Sequence, residues 1–235
     1  MKGEVIYGVR PVLEALRSKR REVHEVLDAV GDKRITSEAT TRGVRLRRVK
    51  KERVEELTPS AVHQGVAARV GPYPYSGLKE ILAAPDPLLL ILDGVTDPRN
   101  LGAVLRVADG VGTSGVVIPK DWAVGVTPVA VKASAGASEH VAVARETNLR
   151  RALDKIKEAG VWAYAAEGRA ALAYTDLELS GPVAFVLGSE GQGIRRLVRE
   201  GCDGAISIPM RGAVSSLNVS VAAAVLLFEA RRQRG

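Results

Sequence analysis

From residue 85 onward the chain repeats one pattern, a short apolar run followed by a longer amphipathic stretch. The runs Leu88–Leu92, Gly115–Ile118, Val141–Ala144, Val161–Ala165, Val183–Leu187 and Ala205–Ile208 are apolar apart from Ser207, as strands covered on both faces are. Between most of them lie Leu101–Gly110, Pro128–Ala135, Leu149–Ala159 and Ile194–Glu200, whose apolar spacing predicts helices. A last helix is expected from Leu217 to about Arg232, with Arg231, Arg232 and Arg234 at its C-terminal end, where cations suit the helix dipole. Strands alternating with helices predict an α/β fold: a mostly parallel sheet with helices on both faces.

The preceding part of the chain is different. Gly71-Pro72-Tyr73-Pro74-Tyr75-Ser76-Gly77 and Pro85-Asp86-Pro87 are rich in turn formers and mark a linker. The expected division is therefore a unit over 1–70, a linker over 71–84 and a larger domain over 85–235. In the first unit, Pro11–Ser18, Ser37–Arg42 and Glu52–Leu57 read as helices, and Val23–Val30, Val44–Val49 and Gln64–Val70 as strands. This is a small α/β unit, too small for a deep active site.

Charge separates the two parts as well. Residues 1–70 hold 16 Lys/Arg against 10 Asp/Glu, and the remainder 18 against 17, so the net +7 sits almost wholly in the first unit. Arg45, Arg47, Arg48, Lys50, Lys51 and Arg53 are packed together. Such a cluster attracts a polyanion by releasing its counterions, although a solvated basic face accounts for the composition equally well. The single Cys202 excludes disulfides within the chain and a Cys-cluster zinc site. The longest apolar run, Val221 to Phe228, is far short of the roughly 20 residues that span a bilayer. No signal peptide is visible, and a cytoplasmic protein is expected.

Familiar sites are missing. There is no G-x-G-x-x-G fingerprint after the first strand and no P-loop. His24, His63 and His140 stand apart, without metal-site spacing, so no metal is expected. Three segments do carry polar groups beyond strand ends, where parallel sheets present ligands. They are Asp93 to Gly102 with Arg106 beyond it, Gly188 to Gly193, and Ile208-Pro209-Met210 followed by Ser215 to Asn218. Each has a plainer reading: Asn100, Ser216 and Asn218 as helix caps, the glycines as turn residues, Arg106 as a surface residue. Together they suggest a ligand pocket without identifying the ligand.

Over these positions the chain resembles the SpoU/TrmH family of RNA 2′-O-methyltransferases. Asp97-Pro98-Arg99-Asn100-Leu101-Gly102-Ala103 with Arg106 is similar to the first family motif. Phe185-Val186-Leu187-Gly188-Ser189-Glu190-Gly191 is similar to the second, and Ile208-Pro209-Met210 through Ser216-Leu217-Asn218-Val219-Ser220-Val221-Ala222 to the third. Tyr7-Gly8, Pro11-Val12, His63-Gln64-Gly65-Val66 and Lys132-Ala133-Ser134-Ala135-Gly136-Ala137 resemble the branch that methylates a guanosine in 23S ribosomal RNA. Trp122 departs from that branch, standing where an arginine is expected, either as a stacking platform or in a buried interface.

The resemblance implies that the C-terminal region is tied into a trefoil knot, holding S-adenosylmethionine (SAM) largely by backbone groups. By motif position the cofactor-binding residues would be Leu187, Gly188, Ser189, Gly193, Ile208, Met210, Ser216 and Leu217. It implies a homodimer with a shared active site, and an N-terminal unit like the small ribosomal-protein-like domains that bind RNA. Arg45, Arg47, Arg48, Lys50, Lys51 and Arg53 are the candidates for RNA contact. Arg106 would clamp a phosphate and stabilise a developing alkoxide, since a guanidinium keeps its charge. Glu190 would orient Arg106, and Asn100, Ser216 and Asn218 would position the groups around it. The rival readings are a tRNA ribose methyltransferase, a non-catalytic RNA-binding assembly factor, and a small-molecule methyltransferase.

Overall fold

The computed structural model describes residues 3–58, 62–189 and 191–235. The N-terminal part builds β1 (Glu4–Tyr7), α1 (Val9–Ser18), β2 (Val23–Asp28), α2 (Lys33–Thr41), β3 (Arg45–Arg48), α3 (Lys51–Glu55) and β4 (Val66–Val70). Its strands form a sheet in the order β1-β4-β2-β3, antiparallel except where β2 meets β3. α2 starts earlier than the expected Ser37 because Asp32 caps it, accepting from the Arg34 and Ile35 main-chain N–H groups.

After α4 (Leu78–Leu82) comes the larger unit: β5 (Leu88–Asp93), α5 (Pro98–Val111), β6 (Gly115–Pro119), α6 (Pro128–Ala133), β7 (Val143–Glu146) and α7 (Leu149–Glu158). It continues with β8 (Trp162–Ala166), β9 (Leu172–Ala173), β10 (Val183–Gly188), α8 (Arg196–Arg199), β11 (Gly204–Ser207) and α9 (Val219–Arg234). The strands pair in the order β7-β6-β5-β10-β8-β11-β9, every neighbour parallel. One apolar layer joins Leu90, Phe185 and Val116 to Leu105, Ala223 and Leu227 of α5 and α9. The other joins Leu89, Ile91 and Val186 to Leu153 and Ile156 of α7. The sheet is therefore covered on both faces, as the apolar runs require.

Residues 71–84 are anchored along their length. Tyr73 is buried and its hydroxyl donates to the Ser138 carbonyl at 2.7 Å, Ser76 bridges to Ala144 beside β7, and Leu78 and Ile81 enter the core. Arg21 is also buried. Its guanidinium donates to the Gly71 carbonyl at 2.8 Å, to Glu139 at 3.3 Å and to Glu4. Arg20 reaches the Val141 carbonyl at 2.8 Å. The two sheets are thus held together by charged and polar groups with little access to water, where such bonds are strong.

Candidate active site

The sheet order puts the polar segments side by side. β10 lies between β5 and β8, with Gly188 opposite Asp93 in register. The first and second segments therefore leave the same edge of the sheet, where strand order changes direction and ligands commonly bind. Asp93 is buried and accepts from the Arg195 main-chain N–H at 2.8 Å and from its Nε at 2.7 Å. A buried carboxylate requires such partners, and these two tie the loop after β10 back to β5.

That loop needs glycine. A Cβ on Gly188 would lie 2.1 Å from the carbonyl carbon of Gly193, because Ser189 and Gly193 exchange main-chain bonds of 3.2 and 3.0 Å. Gly191 and Gly193 have φ of 85° and 69°, a region costly for other residues. Leu187 is buried, Gly188 and Ser189 are half-buried, and Gly193 is exposed at the mouth.

The first and third segments meet through asparagine. Asp97, not Asn100, caps α5, accepting from the Arg99 N–H at 2.7 Å with Pro98 following. Asn218 caps α9 by accepting from the Ser220 N–H at 2.9 Å, and its Nδ2 donates to Asn100 Oδ1 at 3.0 Å. The capping alternative is therefore true of Asn218, which also cross-links two helix starts separated by 118 residues. At the other end Arg231 Nε donates to the Val111 carbonyl at 2.9 Å. α5 and α9 are thus clamped at both ends. Ile208 and Leu217 are half-buried, and Met210 and Ser216 lie exposed in the irregular stretch between β11 and α9. Glu190 lies outside the described residues.

Arg106 is exposed on α5, seven positions after Arg99 and so on the same helix face. Among the described residues it forms no hydrogen bond or ion pair. It borders a crevice whose opposite wall is α1 of the N-terminal unit. Of the segments that resemble the guanosine-methylating branch, Ser134, Ala135 and Ala137 line the crevice with Arg106, and the others meet one another. Gly8 N–H donates to the Val66 carbonyl at 2.9 Å, and Gln64 Oε1 accepts from Lys132 Nζ at 2.9 Å and from the Val9 N–H at 3.3 Å. A Cβ on Gly136 would stand 3.1 Å from Pro11 Cα. These segments build the seam between the two units. Burial pulls the Lys132 ammonium below its ordinary pKa, and burial raises the Tyr7 phenol, opposed by the charge of Arg99.

The basic cluster is partly engaged. Arg48 is bound to buried Asp28 and donates to Thr36 Oγ1 at 3.1 Å. Lys51 pairs with Glu55 at 3.4 Å and Arg53 with Glu56 at 2.6 Å. Arg45 and Arg47 share Glu25 at 3.7 and 3.5 Å, and with Lys50 they leave the most loosely held charge. Trp122 is 87% exposed, with φ 62°, on a loop tied to the first segment by a 2.9 Å bond from Val124 N to the Val95 carbonyl.

Sequence reasoning missed Asp93 as a fastening point and Arg10, Arg17 and Arg34 as neighbours of Arg106. A carboxylate closing the run Leu88–Leu92 was a signal for the first, and the seven-residue spacing of Arg10 and Arg17 on one helix face for the second. Among the described residues no cluster of His, Cys, Asp or Glu could hold a metal ion, and no helix is long and apolar enough to cross a membrane.

The family model described as the SpoU rRNA Methylase family matches residues 87–228, and that described as RNA 2'-O ribose methyltransferase substrate binding matches 5–76. The 23S rRNA (guanosine-2'-O-)-methyltransferase RlmB of Escherichia coli (strain K12) is 43% identical over 98% of this chain and 99% of its own length. RlmB of Vibrio vulnificus (strain CMCP6) is 44% identical over 100% and 98%. Among solved structures, the SpoU methyltransferase AviRb from Streptomyces viridochromogenes in complex with AdoMet superposes with a TM-score of 0.84. It is 27% identical, over 99% of this chain and 91% of that one. On a family model that covers most of the chain and relatives that match it from end to end, this protein belongs to the SpoU rRNA methylase family.

Proposed function

We propose that the chain transfers a methyl group from SAM to the ribose 2′-hydroxyl of a guanosine in 23S ribosomal RNA, in the cytoplasm. The observation that carries this reading is the Asn100–Asn218 bond of 3.0 Å, which unites the first and third family motifs beside the paired ends of β5 and β10. The full-length similarity to RlmB supports the substrate, and the AdoMet complex of AviRb supports the cofactor.

The loops after β10 and β11 fit such a cofactor in kind. Residues 209–216 run exposed and irregular, and Gly191 to Gly193 are exposed, so these loops present main-chain donors and acceptors more than charge. Leu187, Gly188, Ser189, Gly193, Ile208, Met210, Ser216 and Leu217 would hold it. When bound it would supply an electrophilic sulfonium methyl for the ribose oxygen, whose proton would pass to another group or to water.

Arg106 would clamp the phosphate beside the target ribose and stabilise negative charge developing on its 2′-oxygen. Asn100 and Asn218, already fixed to one another, would hold the sugar in line. Ser216 and Glu190 complete the proposed set, Glu190 as the partner that orients Arg106. Residues 1–70 would bind RNA through Arg45, Arg47, Arg48, Lys50, Lys51 and Arg53, with 71–84 joining them to the methyltransferase domain over 85–235. The knot of the C-terminal region and a homodimer with a shared site belong to the same reading.

The test is transfer of labelled methyl from SAM to unmodified 23S rRNA and tRNA in parallel, with the modified ribose mapped. One labelled guanosine in 23S rRNA is expected. Label in tRNA alone would overturn the substrate.

A further inference from the structure

We infer that the crevice between α1 and α5 is the track along which an RNA phosphodiester strand reaches the reaction site, with Arg10 and Arg106 gripping it from opposite walls. The inference rests on the methyltransferase reading and adds the substrate's path to it. The crevice is open to solvent, offers about 420 Å³ and is lined by Arg10, Arg17 and Arg34 of the N-terminal unit and by Arg106 of α5. That volume falls within the roughly 300–1,000 Å³ typical of ligand sites. Glu14 and Asp109 are the carboxylates on its walls.

Local partners answer two of the guanidinium groups. Arg17 contacts Glu14 at 3.2 Å and Glu38 at 3.1 Å, and Arg34 contacts Asp32 at 2.7 Å. Arg10 and Arg106 are exposed, and among the described residues neither forms a hydrogen bond or an ion pair. They come from units separated in sequence, yet they line one space. Like charges facing one space repel, and the lining sets four arginines against two carboxylates, so an anion between Arg10 and Arg106 would relieve a cationic excess. A phosphodiester supplies oxygen acceptors of the kind that guanidinium forks match.

The walls are set in advance. Glu14 and His140, both in the lining, hold each other at 2.9 Å from Oε2 to Nε2, and the Arg21–Glu139 contact that also joins the two units is buried. A preformed site loses less entropy on binding than one that must be assembled. By contrast, much of the charge on and around β3 is already committed to Asp28, Glu25, Glu55 and Glu56. The crevice is therefore the stronger place for phosphate contacts close to the chemistry.

The experiment measures affinity for an unmodified 23S rRNA transcript across a salt series, with methyl transfer and SAM binding followed on the same full-length preparations. Arg10→Gln should weaken RNA binding about fivefold and reduce the log–log salt slope by about 0.7–0.9, the value for one phosphate contact. KM for RNA should rise with kcat nearly unchanged, and SAM should bind normally. Asp109→Asn should strengthen RNA binding, a gain that misfolding cannot produce. Wild-type affinity and slope in both variants would overturn the proposal, most plainly if Arg45→Gln lowered both. Should the wild-type protein methylate no RNA while Arg10→Gln still weakens binding, the methyltransferase reading fails and the crevice remains an RNA site.

Discussion

β3 and β5 show how differently the two units expose function. β3, Arg45–Arg48, is an edge strand with its arginines exposed, whereas β5, Leu88–Asp93, is buried at every position. Charged side chains along an edge deter pairing with another chain and leave a cationic face that binds by summed attraction. A central parallel strand has no free face, so its chemistry is confined to the point where it ends, at Asp93 and the loop into α5. Changes in the first region should therefore be graded, and changes in the second close to all-or-none.

The sharpest break of that comparison is Arg106→Ala, expected to lower methyl transfer about a thousandfold while SAM binding and melting temperature hold. Near wild-type turnover would remove Arg106 from the mechanism. Next is the join between the units. Arg21→Met leaves Glu139 buried without its guanidinium and should cost about 3 kcal/mol in urea unfolding. Burial already holds the Glu139 carboxyl above its ordinary pKa, and Arg21 is the main influence opposing this. Without Arg21 the folded-state pKa rises further above the unfolded value. The folded form then binds the proton more tightly than the unfolded chain does. Stability is lost as pH climbs from the unfolded value through the folded one, so the variant's deficit should be largest at neutral pH and shrink near pH ~4. An equal deficit at both would refute the account.

Gly188→Ala forces a methyl against the Gly193 backbone and should cost about 2 kcal/mol, with SAM binding reduced in calorimetry. Asn218→Ala removes a helix cap and should cost about 1 kcal/mol, together with most of the methyl transfer. The smallest effect is expected at β3, where Arg45→Gln should weaken RNA binding about twofold to threefold and flatten its salt dependence. A large loss of catalysis there, at saturating RNA, would erase the distinction between the regions.

Much of the larger fold was legible because burial on both faces leaves a local mark. Each apolar run became a strand whose bounds lie within two residues of the expected ones, including Val183–Gly188 for Val183–Leu187 and Gly204–Ser207 for Ala205–Ile208. β9, Leu172–Ala173, was not foreseen, since two residues at a sheet edge make no pattern. The polar segments stood out as Gly- and Asn-rich breaks after strands, but their mutual contacts did not. Asn218 was equally able to cap a helix or to bind a partner, and it does both. The branch motifs likewise gave no hint that Gln64 and Lys132, 68 positions apart, share a hydrogen bond.

The sequence by itself determined the alternation of strand and helix, the concentration of charge in the first unit and the three family motifs, because these depend on neighbours within a few residues. Only the tertiary structure decided that β10 lies beside β5, that Asn100 meets Asn218, and that Arg10 and Arg106 face one crevice. Those pairings join segments far apart in the chain. They are selected by the burial of whole faces and the satisfaction of buried charges such as Asp93 and Glu139, which local sequence patterns do not record.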